Sequence, residues 1–157
     1  MRVGMGFDMH RLVCGRELWL GGVKIPYALG LAGHSDADVL LHAIIDSLLG
    51  AASMPDIGRL FPDDDESYRG ISSLILLSQA WDMVRAKGYR VVNIDSVIVA
   101  ERPKLAPYID EMKQQIARVL RVGADQVGIK AKTSEGLGPV GIGEGIAAYA
   151  VSAIEIS

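Results

Sequence analysis

The chain has 157 residues, half of them hydrophobic and 22% charged, and its 16 basic and 19 acidic side chains leave a net charge of −3. That length suits one domain, residues 1–157, and the composition excludes a disordered or low-complexity chain. No basic stripe awaits a phosphate backbone and no apolar run reaches bilayer length, so neither nucleic acid nor membrane is an expected partner and a cytoplasmic location is expected.

Residues 2–10 alternate as a strand, with Val3, Met5, Phe7 and Met9 on a greasy face and Gly4, Gly6, Asp8 and His10 on an open one. Cys14 follows in a loop; as the single cysteine it has no partner for an intrachain disulfide or a CxxC metal site. "ELWLGGVKIPY" reads as a hairpin around Gly21 and Gly22, with Pro26 ending its second strand or holding it at an edge. "SDADVLLHAIIDSLLGAAS" has helical spacing, with Ser35 as N-cap, Asp36 and Asp38 near the positive end of the helix dipole and Gly50 as the stop. "MPDIGRLFPDDDES" is expected to be a loop, given its two prolines, a glycine and four consecutive acids from Asp63 to Glu66.

A second helix is predicted from about Gly70 to Lys87, with Leu74, Leu77, Trp81 and Val84 at helical spacing and Gly88 beyond it. "YRVVNIDSVIVA" is a strand, and Pro107 opens a third helix with Ile109, Met112, Ile116 and Leu120 on its inner stripe. Two further strands, "QVGIKAKTSE" and "EGIAAYAVSAIEIS", join through a glycine-rich turn. This succession predicts an α+β fold, a mixed β-sheet with helices packed on one face. The last strand is apolar on both faces, so the uncovered side of the sheet is expected to meet a copy of itself.

The three histidines, His10, His34 and His42, all fall in the first 42 residues, beside Asp8, Asp36 and Asp38. Asp8 and His10 share a strand face and can reach one point. His42 is the better third ligand, since Asp38 and Asp46 flank it one helical turn away on either side and either carboxylate could hold its second ring nitrogen. Two imidazoles and one carboxylate suit zinc with an open fourth position. Against this, Asp-x-His is a weak motif and a helical histidine is more often a core or rim residue.

Among the loop acids, Asp56, Asp63, Asp64, Asp65 and Glu66 could accept from a polyol or hold a divalent cation, although a charge run is usually solvated surface and is read so for Asp64 and Glu66. Gly136, Gly138 and Gly141 match GxGxxG, but no helix signal follows them, so they make a tight turn and not a dinucleotide site. Before them, Lys132, Thr133, Ser134 and Glu135 combine a cation, two hydroxyls and a carboxylate suited to a phosphate and its Mg²⁺, and Lys104 is a further candidate phosphate contact.

The blocks "GFDMH", "GHSDADVLLHAIIDSLLGAA", "DIGRLFPDDD", "AERPKLAPYI" and "KAKTSEGLGPVGIGEGI" follow one another, across nearly the whole chain, in an order and spacing that resembles the 2-C-methyl-D-erythritol 2,4-cyclodiphosphate synthases. The resemblance implies a lyase of the non-mevalonate isoprenoid route, which turns 4-diphosphocytidyl-2-C-methyl-D-erythritol 2-phosphate into the cyclic diphosphate and CMP. It implies that Asp8, His10 and His42 bind Zn²⁺ and that Glu135 helps to bind Mg²⁺ or Mn²⁺. His34 and Ser35 would contact the phosphates and the methylerythritol, and Asp56, Ile57, Gly58, Phe61, Asp63 and Asp65 would line the methylerythritol pocket. Ala100, Lys104, Leu105, Ala106, Ala131, Lys132 and Thr133 would hold the cytidine diphosphate, with Ser134 and Glu135 beside them. His34 and Thr133 would hydrogen-bond the charge that develops in the transition state. The resemblance further implies a homotrimer with sheets facing each other and active sites between subunits. The chain departs from the family pattern at Pro139 and Ile142, where many members carry an aromatic residue and an arginine. That arginine is associated with the phosphate-binding end of a central cavity thought to admit isoprenoid diphosphates. The rival readings are a zinc-dependent phosphodiesterase or nucleotide hydrolase that activates water, and a trimeric module whose apolar centre carries a prenyl-type ligand.

Overall fold

In a computed structural model describing residues 1–157, the alternation at the amino terminus extends into a strand, β1 (Arg2–Val13). Its long partner is antiparallel β7 (Gly145–Ile156), which pairs on its other edge with antiparallel β5 (Tyr89–Val99). β6 (Val127–Lys132) runs parallel to β5, and β4 (Gly30–Leu31) pairs with the end of β1, so the mixed sheet has the order β4-β1-β7-β5-β6. A separate hairpin joins β2 (Leu18–Leu20) to β3 (Val23–Ile25), as expected from its paired glycines.

Helices α1 (Val39–Ala51), α3 (Ser73–Ala86) and α4 (Ile109–Leu120) cover one face: α1 lies on β1 and β7, α3 on α1, and α4 between α3 and β6. Ten of the 13 residues of α1 are buried. A helix apolar nearly all round is what a position between a sheet and a second helix requires. Its approach to β1 depends on Gly4 and Gly6, where a Cβ would lie 2.0 Å from the Ser47 carbonyl oxygen and 1.9 Å from that of Ala43. The strand face that looked open is therefore closed by helix backbone.

Several boundaries differ from the sequence expectation, each for a local reason. α1 is capped by Asp38 and not Ser35, because Ala37 at φ 58° holds the preceding residues out of the helix while the Asp38 carboxylate accepts from the Leu41 N–H at 3.1 Å. The same carboxylate accepts from Gly21 and Gly22 at 3.0 and 2.8 Å, tying the hairpin turn to the helix start. α1 also passes Gly50 and ends at Ala51. α3 starts at Ser73, with Ser72 as N-cap, and Pro107 sits in a 3-10 turn (Ala106–Tyr108) ahead of α4. The acidic loop contains the single turn α2 (Ile57–Leu60) and a 3-10 turn (Glu66–Tyr68), and the glycine-rich turn contains the single turn α5 (Gly138–Gly141).

On the sheet's other face Val3, Met5, Phe7, Met9, Tyr149 and Val151 stand 44–71% exposed. Met5 lies opposite Val151 and Phe7 opposite Tyr149, so they form a continuous apolar stripe. No helix is long and apolar enough to cross a membrane.

Candidate functional site

Strand β1 and helix α1 meet at one polar point. The Asp8 Oδ2 lies 2.9 Å from His10 Nε2 and 3.0 Å from His42 Nδ1, and the three ligand atoms all fall within 4.8 Å of one another. A tetrahedral zinc with bonds near 2.0–2.1 Å separates its ligand atoms by roughly 3.3 Å, so a small outward movement would admit an ion. Burial pushes the Asp8 carboxyl up, but hydrogen bonds and charge from His10 and His42 outweigh it and hold the group at about 2. Burial likewise lowers the His10 imidazole, but the hydrogen bond and charge of Asp8, together with the Ala32 carbonyl and the charge of Asp63, outweigh it and leave the group raised above 6.5. The carboxylate is thus ionised across the working range, as a ligand must be.

The far nitrogens of both rings are engaged. His10 Nδ1–H donates to the Ala32 carbonyl at 2.7 Å, so Nε2, which faces Asp8, is the nitrogen that can give up its proton to a metal. His42 Nε2 lies 3.0 Å from Ser73 Oγ and 3.2 Å from Ser35 Oγ. This corrects the expectation for His42, since neither Asp38 nor Asp46 holds its second nitrogen. Asp38 is consumed by backbone N–H groups, and Asp46 accepts from the Ile57 N–H at 2.8 Å and so fixes the start of α2. Ser73 carried no signal beyond being a serine at a helix start, and its role depends on a contact 31 residues away in sequence.

A cavity of about 190 Å³ opens over this point, lined by Asp8, His10, His34, Ser35 and His42, with Ile57, Gly58, Phe61 and Asp63 along its other wall. His34 Nε2–H donates to the Asp65 carbonyl at 2.8 Å, fastening the acidic loop beside the cavity. Asp56 and Asp65 do not line it. Their carboxylates cap α2 and the 3-10 turn, accepting from the N–H of Arg59 at 3.0 Å and of Ser67 at 2.9 Å.

A second cavity gathers Ala100, Lys104, Leu105, Ala106, Ala131, Lys132 and Thr133, with Glu101 and Pro103. The Ala100 N–H donates to the Lys132 carbonyl at 2.9 Å, joining its two sides. The sequence reading gave no role of its own to Glu101, whose carboxylate accepts from Ser134 N–H at 2.9 Å, Ser134 Oγ at 3.1 Å and Gly136 N–H at 3.3 Å. The Gly136 hydrogen bond leads in holding its carboxyl below the usual range. Ser134 and Glu135 lie outside both cavities, Glu135 exposed at φ 55°. In the sheet His10 stands opposite Ile146, Val99 opposite Ala147 and Lys132 opposite Val99. Three strand spacings, roughly 14 Å, therefore separate the histidine end from the lysine end within one chain.

Residues 1–155 match the model of the YgbB family. The chain belongs to the YgbB family. Among YgbB relatives, a 2-C-methyl-D-erythritol 2,4-cyclodiphosphate synthase of Desulforamulus reducens is 59% identical over 155 residues, 99% of each chain. A solved structure of a 2C-methyl-D-erythritol-2,4-cyclodiphosphate synthase in a CDP-bound form superposes with a TM-score of 0.90 at 39% identity, covering 98% of this chain and 100% of that one. The bifunctional IspDF of Campylobacter jejuni gives a TM-score of 0.96 at 40% identity, covering 99% of this chain and 42% of that longer one.

Proposed function

We infer that this chain is a 2-C-methyl-D-erythritol 2,4-cyclodiphosphate synthase, a lyase that closes 4-diphosphocytidyl-2-C-methyl-D-erythritol 2-phosphate into the cyclic diphosphate and releases CMP. The observation that carries it is the convergence of Asp8, His10 and His42 at the floor of a polar cavity, in a chain that matches the YgbB family over residues 1–155. Within one substrate molecule a 2-phosphate oxygen bonds to the β-phosphorus as the bridging bond to the α-phosphate breaks, so CMP departs and no water is consumed. Two anions must approach each other, and catalysis rests on positioning and charge neutralisation more than on a protein base.

Asp8, His10 and His42 would hold Zn²⁺, and Glu135 would help to hold Mg²⁺ or Mn²⁺; such ions neutralise and orient phosphate oxygens. His34 and Ser35 take the phosphate and methylerythritol end, with Ile57, Gly58, Phe61 and Asp63 enclosing the carbon skeleton. Asp56 and Asp65 contribute by shaping that wall, through the caps they form. Ala100, Leu105, Ala106 and Ala131 pack about the cytidine, while Lys104, Lys132 and Thr133, with Ser134 beside them, meet the diphosphate. His34 and Thr133 donate to the developing charge.

Residues 1–157 act as one domain, in the cytoplasm. The separation of the two cavities within a chain, together with the exposed apolar stripe, supports a homotrimer in which sheets face one another and neighbouring subunits complete each site. Purified protein incubated with the substrate, Zn²⁺ and Mg²⁺ tests the metal assignment. CMP release should stop on chelation and return with Zn²⁺, and release that persists in demonstrably zinc-free protein would overturn it.

A further inference from the structure

His42 can donate a lone pair from Nδ1 only if its proton sits on Nε2, and the group facing Nε2 is a hydroxyl, which can either donate or accept. A hydroxyl donating to Nε2 would put the ring proton on Nδ1, pointing at the place an ion needs. Ser73 is fully buried on the first turn of α3, and its single hydroxyl proton is already committed: Oγ–H donates to Asp36 Oδ1 at 2.5 Å. The Asp36 carboxylate is itself held from three sides, with Oδ1 also accepting the Asp38 N–H at 3.0 Å and Oδ2 the Ser73 N–H at 2.9 Å. What Ser73 can turn to His42 is therefore a lone pair, 3.0 Å from Nε2. Ser35 Oγ also approaches Nε2, at 3.2 Å, and accepts the Ala37 N–H at 3.1 Å, but no acceptor holds its proton, so it does not by itself choose the tautomer.

We propose that Ser73, oriented by Asp36, is a positioning residue that keeps a proton on His42 Nε2 when a metal displaces the Nδ1 contact to Asp8, and thereby presents Nδ1 to the metal. It does for His42 what the Ala32 carbonyl does for His10, except that a carbonyl can only accept, whereas Ser73 must be made an acceptor by Asp36. The inference rests on the reading of Asp8, His10 and His42 as a zinc site.

The test is Zn²⁺ affinity, measured by competition with a chromophoric chelator, for wild type, Ser73→Ala, Ser73→Thr and Ser35→Ala. Outer-sphere partners of metal-bound histidines typically change affinity by about 10–100-fold, and that loss is expected for Ser73→Ala. Ser73→Thr keeps the hydroxyl and should recover most of the affinity, while Ser35→Ala should lose less than Ser73→Ala. Melting of the metal-free variants separates a folding defect from a ligand defect. Nitrogen-15 spectra of the zinc-loaded wild type give a second readout that needs no variant. His42 should be bound through Nδ1 and keep an Nε2–H that exchanges slowly with water. Wild type that binds no zinc would sink the site reading itself. Zinc-binding wild type with Ser73→Ala affinity within about twofold, or an Nε2–H exchanging as fast as that of an exposed imidazole, would overturn this inference alone.

Discussion

Gly6→Ala adds one methyl group to the strand that carries Asp8 and His10. The new Cβ would lie 1.9 Å from the Ala43 carbonyl oxygen, 2.8 Å from its carbonyl carbon and 2.9 Å from the Ser47 nitrogen, all backbone atoms of α1. No rotamer relieves a clash with backbone, so α1 must lift from β1 by about 1.5 Å before the contact becomes an ordinary one. His42 precedes Ala43 on that helix, with Nδ1 3.0 Å from Asp8. A metal bond tolerates about 0.2 Å, so the lift costs the site a ligand as well as costing the core its packing. Unfolding in denaturant should show a loss toward the upper end of the ~1–3 kcal/mol typical of overpacking. Zinc affinity should fall beyond the ~10–100-fold expected from loss of an outer partner. Gly50→Ala is the control, because its Cβ would meet nothing nearer than 3.8 Å, and removing a helical glycine stabilises by roughly 0.5–1 kcal/mol. A Gly6→Ala protein equal to wild type in both stability and zinc affinity would refute the reasoning that β1 and α1 must touch for the ligands to meet.

Lys104→Ala should weaken CDP binding about tenfold, the order of one charge-assisted phosphate contact, and calorimetry showing unchanged affinity would remove Lys104 from the site. Val151→Asp places a charge in the apolar stripe of the sheet's outer face and should convert the proposed trimer to a single chain of 16.8 kDa by light scattering; an unchanged oligomer would mean that this face is not the interface. The metal-free protein should lose stability as pH falls toward 2 and again as it rises above 6.5. Asp8 titrates at about 2 folded against 3.8 ordinarily, so its contribution of about 2 kcal/mol is complete above 3.8 and is lost as pH falls through 2. His10 is raised above 6.5, so its contribution is complete below 6.5 and is lost as pH rises through its folded value. Because zinc requires unprotonated nitrogens, its stabilisation should grow across that same rise, and melts whose zinc-induced shift is independent of pH would contradict the ligand assignment.

The strand at residues 2–10 was legible because its side chains alternate in size and polarity, and the apolar half of the alternation does stand clear of the helices. The glycine half misled for the same reason: a residue without a side chain reads as open space, whereas Gly4 and Gly6 mark where another backbone comes closest. The start of α1 could not be read from composition, since Ser35, Asp36 and Asp38 are all good caps within four residues and the left-handed turn at Ala37 decides among them. Helical spacing put Asp38 and Asp46 next to His42, but both carboxylates were claimed by backbone N–H groups of elements remote in sequence. Ser73 took the place assigned to them, which no local pattern announces. α2 and α5, at four residues each, are shorter than any periodic signal. Asp8 and His10, by contrast, followed from strand periodicity, and His42, chosen for flanking carboxylates that do not hold its ring, is nonetheless the third member of the cluster the fold assembles.

The central claim is that the phosphate of the substrate, and not water, attacks the diphosphate. Running the reaction in water enriched in heavy oxygen and resolving the products by mass spectrometry and phosphorus NMR tests it directly. Cyclic diphosphate and CMP in equal amounts, neither carrying the label, is the predicted result. A linear phosphate product that carries the label would show a hydrolase and contradict the account.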